Sequence, residues 1–344
     1  MASHRRPKQP SRARVTVLTT AAAAAVAISA QAANAAPSEK PSKDEVKSKV
    51  DKLYEEAEQA TEKYNGAKEK QDQLQKDIST IQDNVARGQQ DLNKLRDGIG
   101  SMAAGQYRTG GIDPSLQLFL SSNPDDYLDK ASTLDQVSGQ QVDALKKIQD
   151  KQRELAQERA EASAKLKDLA ATRTELGNKK KEVQGKLAEA QKLLNSLTAA
   201  EKAALEAADQ GRATRGTDRT EIGKITPGTG RAGAAFAAAQ GKIGSPYVYG
   251  ASGPSSFDCS GLTSWAYAQA GVTIPRTSEA QANAGQRIYS QSQLQVGDLV
   301  LFYGDLHHIG LYAGNGMVLH APHTGANVRY EAIGNMPFQF GVRI

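Results

Sequence analysis

The chain has 344 residues and a formal net charge of +5, with 43 Lys and Arg residues against 38 Asp and Glu residues. This length allows two or three domains, and a basic balance at first suggests a polyanionic partner. The excess lies in residues 1–35, which contain five Lys and Arg residues and no acidic residue. The rest of the chain carries 38 charges of each sign, so its net charge gives no reason to expect a nucleic-acid partner.

The N-terminal segment is typical of a secretory signal. A basic stretch that ends at Arg14 precedes an apolar, alanine-rich run over residues 15–30 and the small-residue site Ala33-Asn34-Ala35. A membrane anchor is the alternative, but the run is short and weakly hydrophobic for a membrane-spanning helix. We therefore predict a signal peptide over residues 1–35 and a secreted protein that is extracellular or associated with the cell wall.

Composition divides the remaining chain into two parts. Residues 36–230 contain 65 charged residues and five aromatic residues, whereas residues 231–344 contain 11 charged residues and 13 of the 18 aromatic residues. The first composition is typical of solvated helices and the second of a compact domain with strands and turns. Residues 209–230, with Pro227-Gly228 and many polar residues, predict a flexible linker between them.

The helical part, residues 36–208, shows a heptad pattern. Apolar residues recur there at alternating spacings of three and four, which predicts a coiled coil. In the first helix these residues form two rows: Val46, Leu53, Ala60, Ala67, Leu74, Ile81, Leu95 and Met102, interrupted by Gly88, and Val50, Ala57, Tyr64, Ile78, Val85, Leu92 and Ile99. In the second helix one row is interrupted by polar residues, so we expect an antiparallel hairpin that leaves part of the first helix uncovered.

The hairpin has a predicted tip near residues 103–133, where Gly110-Gly111, Pro114 and Pro124 break the helical pattern. The apolar cluster of residues 116–120 at this tip could cap the hairpin or form a docking surface. The uncovered stripe of the first helix could contact a second copy of the chain in a homodimer, the C-terminal domain or a membrane-complex subunit.

The chain has one cysteine, Cys259, which excludes an internal disulfide. It precedes a run with helical spacing that ends near Gly271, so we predict that Cys259 lies in the first turn of a helix. Backbone N–H groups at a helix N-terminus stabilise a thiolate, which suits a nucleophile. A buried, inert cysteine is the alternative.

A nucleophile needs a base, and two predicted strands supply histidines. Residues 308–312 alternate so that His308 lies on one face, and the next strand, residues 317–321, contains His320. Adjacent antiparallel strands could bring these two side chains together, in the order cysteine, histidine and orienting residue found in papain-like catalysis. His307 on the opposite face and His323 in a turn are weaker candidates. No metal-binding spacing occurs, so we expect no metal and no cofactor.

Five sequence blocks of the C-terminal part resemble the NlpC/P60 family of cell-wall peptidases. They are Pro246-Tyr247-Val248-Tyr249-Gly250, Asp258-Cys259-Ser260-Gly261-Leu262, Gly297-Asp298-Leu299-Val300, His308-Ile309-Gly310-Leu311-Tyr312 and His320-Ala321-Pro322. The resemblance covers residues 231–344 and implies an α+β fold, with a papain-like catalytic domain after the all-α hairpin. It also implies cleavage of peptidoglycan stem peptides, commonly between D-glutamate and the diamino acid.

The same resemblance assigns site residues. It implies that Cys259 is the nucleophile, His308 the base and His320 the orienting residue. It further implies that Tyr247, Asp258 and Ser260 line the site and meet the substrate. Tyr249 stands where tryptophan is frequent in the family and Ala251 where glycine is frequent, and both departures concern fine specificity.

The whole architecture resembles envelope hydrolases with a long N-terminal coiled coil, some of which are controlled by an ABC-transporter complex of the division machinery. We expect the coiled coil to regulate or position the enzyme, so that the full-length mature protein cleaves more slowly than isolated residues 231–344. A non-catalytic wall-binding or division scaffold is the alternative from another class. An amidase or acyltransferase with the same triad also stays open.

Overall fold

The computed structural model describes residues 41–108, 116, 119–120, 124–214 and 230–344. The predicted signal segment lies outside these residues, and so do residues 109–115, 117–118 and 121–123 in the middle of the predicted tip. The described residues from 42 onward belong to one compact unit. None of the described helices combines the length and the apolar character that a membrane crossing requires.

Among the described residues, three helices precede the C-terminal domain, and we call them together the helical arm. They are α1 (Lys43–Arg108), α2 (Pro124–Asn195) and α3 (Ala199–Thr214). A reciprocal side-chain cap starts α1, where the Glu45 backbone N–H donates to Ser42 Oγ at 3.2 Å and Ser42 N–H donates to the Glu45 carboxylate at 2.9 Å. Thr198 and Glu201 form the same capping box before α3, so the starts of α1 and α3 have a local sequence cause.

Helices α1 and α2 lie antiparallel along their length. Interhelical contacts pair Lys186 with Glu56 at 2.6 Å and Lys165 with Asp77 at 2.9 Å. The seam buries members of both predicted rows of α1, namely Val46, Val50, Ala57, Ala60, Ala67, Leu74, Ile78, Ile81 and Leu92. Gly88 interrupts its row because a Cβ there would lie 2.7 Å from Leu155 Cδ2 of α2. The predicted antiparallel hairpin of helices is therefore present.

Two predicted boundaries differ from the structure. Residues 209–214, predicted as part of the linker, continue α3 to Thr214, and α4 already begins at Gly230. The alanine and glutamate residues between positions 199 and 208 favour a helix, and this helix extends through residues 209–214. Within the predicted tip, α1 extends to Arg108 and α2 begins at Pro124. The remaining linker residues, 215–229, lie outside the described part.

The C-terminal domain combines three helices with one antiparallel sheet. The helices are α4 (Gly230–Gln240), α5 (Cys259–Gln269) and α6 (Ser278–Gln281), and the strands are β1 (Gln286–Ile288), β2 (Leu299–Phe302), β3 (His308–Gly314), β4 (Met317–His320), β5 (Arg329–Ala332) and β6 (Phe338–Arg343). The strand order is β1-β6-β2-β3-β4-β5. Phe236 of α4 and Leu262 of α5 pack with the sheet in the main core, and Val300 and Phe302 belong to a second cluster. The α+β prediction is confirmed.

Candidate active site

Cys259 is the first residue of α5, as its spacing predicts. Asp258 caps this helix, since its carboxylate accepts a hydrogen bond from Gly261 N–H at 2.7 Å. A Cβ at Gly261 would lie 2.1 Å from the Ala251 carbonyl oxygen, so the close approach of residue 251 to α5 requires glycine. The Cys259 thiol is buried, with its Sγ 3.7 Å from the His307 carbonyl oxygen.

The two predicted catalytic histidines meet in the sheet. His308 Nε2 lies 2.8 Å from His320 Nδ1, across the neighbouring strands β3 and β4. Gly310 makes room for this contact, because a Cβ there would lie 2.9 Å from His320 Cβ. Both imidazoles are buried, which lowers the pKa of His308 to about 3 and that of His320 to about 4.

The two weaker histidine candidates have other partners. His307 Nδ1 lies 2.5 Å from the Asp305 carboxylate, and its ring stacks on Tyr303 at 4.3 Å between centroids. His323 stacks on Tyr54 of α1 at 4.7 Å. Neither ring takes part in the hydrogen bond that joins His308 to His320.

The predicted substrate residues Asp258 and Ser260 belong to a buried polar cluster with Arg276. The Arg276 guanidinium donates to both carboxylate oxygens of Asp258, at 3.0 and 2.6 Å, and to Ser260 Oγ at 2.8 Å. Asp258 also accepts from Gly250 N–H at 2.9 Å. Tyr247 is buried in the same region, and burial with the nearby charges of Glu58 and Cys259 raises its pKa well above the usual value. Our sequence analysis did not single out Arg276, although Pro275-Arg276-Thr277-Ser278 is a polar turn between helical patterns.

A polar face of α1 enters this site, which the sequence analysis did not anticipate. Glu58, Thr61, Glu62 and Asn65 recur at helical spacing and are buried, with exposed fractions of 8, 1, 1 and 2 per cent. We call these four residues the inserted face. Their spacing was a usable signal, but charged residues beside a heptad seam normally face solvent.

Glu62 contacts the nucleophile and the polar cluster. Its Oε1 accepts from Ser260 Oγ at 2.7 Å and lies 3.8 Å from Cys259 Sγ. Its Oε2 accepts from the Ser278 backbone N–H at 2.7 Å and from Ser278 Oγ at 3.0 Å. Asn65 donates to Glu62 at 3.1 Å and to Asp258 at 3.0 Å. The Glu62 carboxylate is therefore well solvated by protein groups.

Glu58 lies one helical turn earlier and faces the base. Its Oε2 is 3.4 Å from His308 Nδ1 and 4.0 Å from His307 Nε2. Glu58 Oε1 and His308 Nδ1 are both buried and have no hydrogen-bond partner in the described structure. One face of α1 therefore covers the predicted nucleophile with Glu62 and the predicted base with Glu58.

Burial sets the protonation states in this closed site. It raises the pKa of Glu58 to about 8 and, together with the charge of Asp258, that of Glu62 to about 7. Burial and the charges of Glu62 and Asp258 raise the pKa of the Cys259 thiol well above its usual range. With a neutral thiol and neutral imidazoles, the closed site does not favour the thiolate and imidazolium pair that a cysteine nucleophile uses.

Further contacts join the arm to the domain around the site. The Tyr64 and Tyr249 rings meet edge to face at 6.0 Å, and Arg329 Nη2 of β5 pairs with Asp209 Oδ1 of α3 at 3.0 Å. A cavity of about 170 Å³ remains beside His308 and His320, lined by both arm and domain. Across the described residues, no group of three or more His, Cys, Asp or Glu side chains is arranged to hold a metal ion.

Comparisons with known proteins concern the C-terminal part of the chain. The sequence model of the NlpC/P60 family matches residues 244–340. A protein of Corynebacterium glutamicum named a probable endopeptidase is 52% identical over 106 residues, which are 31% of this chain and 50% of that protein. The probable endopeptidase p60 of Listeria monocytogenes is 46% identical over 100 residues, 28% of this chain and 20% of that protein. The chain thus spans half the length, or less, of these curated relatives.

Solved structures match the same part of the chain. The NlpC/p60 domain of the peptidoglycan hydrolase SagA is 37% identical over 33% of this chain and 98% of that chain, with a TM-score of 0.31. NlpC2 from Trichomonas vaginalis is 35% identical over 34% of this chain and 47% of that chain, with a TM-score of 0.32. The match to the family model shows that the C-terminal part of this chain is an NlpC/P60 domain.

Proposed function

We propose that the chain is a cysteine endopeptidase that cleaves peptidoglycan stem peptides. The observation that carries this proposal is Cys259 at the start of α5 together with the hydrogen-bonded pair of His308 and His320. Nε2 of His308 is occupied by His320, which leaves Nδ1 to accept the thiol proton. The thiolate then attacks the scissile carbonyl carbon, the amine leaves with that proton, and water releases the acyl group from sulfur.

The contacts of Glu62 support a bond beside D-glutamate. A D-glutamate joined to the next residue through its side-chain carboxyl keeps a free α-carboxylate close to the scissile bond. The Glu62 carboxylate, at 2.7 Å from Ser260 Oγ and from the Ser278 N–H, has the same chemistry beside Cys259. We therefore propose that the substrate carboxylate binds these donors once Glu62 has left, and that cleavage falls between D-glutamate and the diamino acid.

Defined muropeptides test the reaction. Incubation with residues 231–344, followed by mass spectrometry of the products, should give fragments cut after D-glutamate, and amidation of its α-carboxylate should slow the reaction. Products cut at another bond would contradict the specificity. A transferred acyl group, or binding without any cleavage, would support an acyltransferase or a scaffold in place of the endopeptidase.

We also propose that the helical arm holds the enzyme inactive until α1 leaves the site. The support is the inserted face, which buries Cys259 and His308 beneath Glu62 and Glu58. The full-length chain should cleave muropeptides more slowly than residues 231–344 alone. Equal rates for the two proteins would reject inhibition and leave the arm as a tether or a dimerisation element.

The partner proposed to open the site is a membrane subunit of a division complex, and the tip of the hairpin is its proposed docking surface. Among the described tip residues, Tyr107, Phe119 and Leu120 are 85, 82 and 76 per cent exposed, which is unusual for large apolar side chains. Polar substitution of Phe119 and Leu120 should disturb the placement of the protein in cells without changing cleavage by the purified protein.

Two other expectations have their own tests. Light scattering would detect a homodimer, which is the alternative to a membrane subunit as the partner of the arm. N-terminal sequencing of the exported protein would test the proposed secretion.

A further inference from the structure

We infer that Glu331 is a positioning residue that fixes the proton arrangement of both histidines, an inference that rests on the proposed cysteine chemistry. Glu331 Oε2 lies 3.3 Å from His320 Nε2, on the side of the ring opposite to His308. Both side chains are buried, with exposed fractions of 6 and 1 per cent. Neither the sequence blocks nor the predicted triad includes this carboxylate.

The sheet register explains how Glu331 reaches His320. His320 of β4 is paired with Arg329 of β5, and Val318 is paired with Glu331. Because side chains alternate along a strand, residues 329 and 331 share the face on which His320 lies. The segment Arg329-Tyr330-Glu331 therefore presents a cation and a carboxylate to one imidazole.

Arg329 and Asn335 keep Glu331 in its acceptor form. Arg329 Nη2 donates to Glu331 Oε2 at 3.0 Å, and Asn335 Nδ2 donates to Oε1 at 3.4 Å. Burial alone would raise the pKa of Glu331, but the hydrogen bond from His320 and the charge of Arg329 hold it well below the usual range. An ionised carboxylate only accepts hydrogen bonds, so the proton in this contact belongs to His320 Nε2.

The proton on His320 Nε2 determines the direction of the hydrogen bond between the two histidines. A neutral imidazole has one N–H, so His320 Nδ1 must be the acceptor in its 2.8 Å contact with His308 Nε2. His308 therefore carries its proton on Nε2, and its Nδ1 keeps the lone pair that accepts the thiol proton. Without Glu331 the two histidines have a second arrangement, in which His308 Nδ1 carries a proton and cannot act as a base.

The test is to observe the proton positions directly in the full-length protein. Histidine labelled with ¹⁵N distinguishes protonated from unprotonated ring nitrogens by NMR, and His308→Gln and His320→Gln variants assign the signals. We expect both histidines in the Nε2–H form. Protonated Nδ1 in either ring of the unsubstituted protein would overturn the inference, whatever any variant does.

Two variants sharpen the test. In Glu331→Gln the amide can donate to His320 Nε2, so we expect both rings to lose the pure Nε2–H form, whereas Glu331→Asp keeps a carboxylate and should retain it. Unchanged tautomers in a folded Glu331→Gln protein would overturn the inference. Because the readout needs no turnover, the tautomers can be as inferred even where muropeptides are not cleaved, and that result would reject only the proposed function.

Discussion

The two halves of α1 follow the same heptad pattern but meet different surroundings. Beyond residue 68 the polar faces stay in solvent, as in the exposed ion pair between Lys94 and Asp91, with side chains 78 and 56 per cent exposed. Between residues 54 and 65 the helix has a second buried side, and it is lined with acids and an amide. Heptad spacing predicts which residues lie in the seam between α1 and α2. Whether the other faces of α1 are buried depends on what packs against them.

The two buried glutamates of α1 also differ from each other. Glu62 accepts hydrogen bonds from Ser260, Ser278 and Asn65, which offset the cost of burying a carboxylate. Glu58 Oε1 has no hydrogen-bond partner within the described structure, and Oε2 lies 3.4 Å from His308 Nδ1. The contacts of Glu62 near Cys259 therefore stabilise the docked arm, whereas the burial of Glu58 near His308 destabilises it. This balance suits reversible closure of the site.

The largest expected effect concerns the domain and not the arm. Cys259→Ala should lower the cleavage rate by at least about a thousandfold, because no other group supplies the nucleophile. His308→Ala should behave similarly. The rate of product formation, measured by chromatography of muropeptides, checks both, with circular dichroism as the control for folding.

His307→Ala is the matched control for the histidine assignment. Its ring pairs with Asp305 and stacks on Tyr303, so we expect cleavage within about threefold of the unsubstituted chain. A dead His307→Ala protein together with an active His308→Ala protein would show that the base is assigned to the wrong strand position.

The next effect separates the halves of α1. Glu62→Lys places a cation near Arg276 and removes the acceptor for Ser278 N–H, so α1 should leave the site and cleavage by the full-length chain should rise at least about tenfold. Asp91→Lys makes the same charge change on the exposed half of the helix and should leave the rate unchanged. An equal response to both substitutions would mean that the inserted face has no special role.

A smaller effect is expected from pH. In the closed site the pKa of Glu58 is raised to about 8 and that of Glu62 to about 7, whereas free glutamates titrate near about 4.3. The closed state therefore binds more protons, and closure weakens as the pH rises toward 8. The lowered pKa values of His308 and His320 act in the opposite sense, but only below about pH 6.5, where released imidazoles take up protons.

Hydrogen exchange of residues 54–65 measures this dependence. Between pH 6.5 and 8, protection corrected for the intrinsic exchange rate should fall by about tenfold. Glu58→Gln has no charge to bury, so it should remove most of the change and keep α1 docked at pH 8. Protection that increases with pH would contradict the protonation states proposed for the closed site.

The smallest effect is expected at the edge of the arm. Asp209→Ala removes the ion pair between α3 and Arg329, which is partly exposed and so contributes about 1 kcal/mol or less. Cleavage by the full-length chain should rise by no more than about fivefold. Glu206→Ala removes an exposed acid of the same helix, leaves the ion pair in place and serves as the comparison.

Much of the domain could be predicted from the sequence, because its signals are local. The helix that begins at Cys259 follows from its cap and spacing, and the contact of His308 with His320 follows from strand alternation. The inserted face depends on how two distant segments pack, as in the contact of Glu62 with Ser278, 216 residues later. Glu331 was missed for a similar reason, since only the pairing of β4 with β5 brings it to His320.

The central claim is that α1 closes a nucleophilic cysteine, and the rate of Cys259 alkylation tests it most directly. The chain has a single cysteine, so the intact mass after treatment with iodoacetamide reports this thiol alone. We predict slow alkylation of the full-length chain and alkylation at least about tenfold faster in Glu62→Lys, with Asp91→Lys unchanged. Fast alkylation of the unsubstituted chain, equal to that of Glu62→Lys, would contradict closure of the site by the arm.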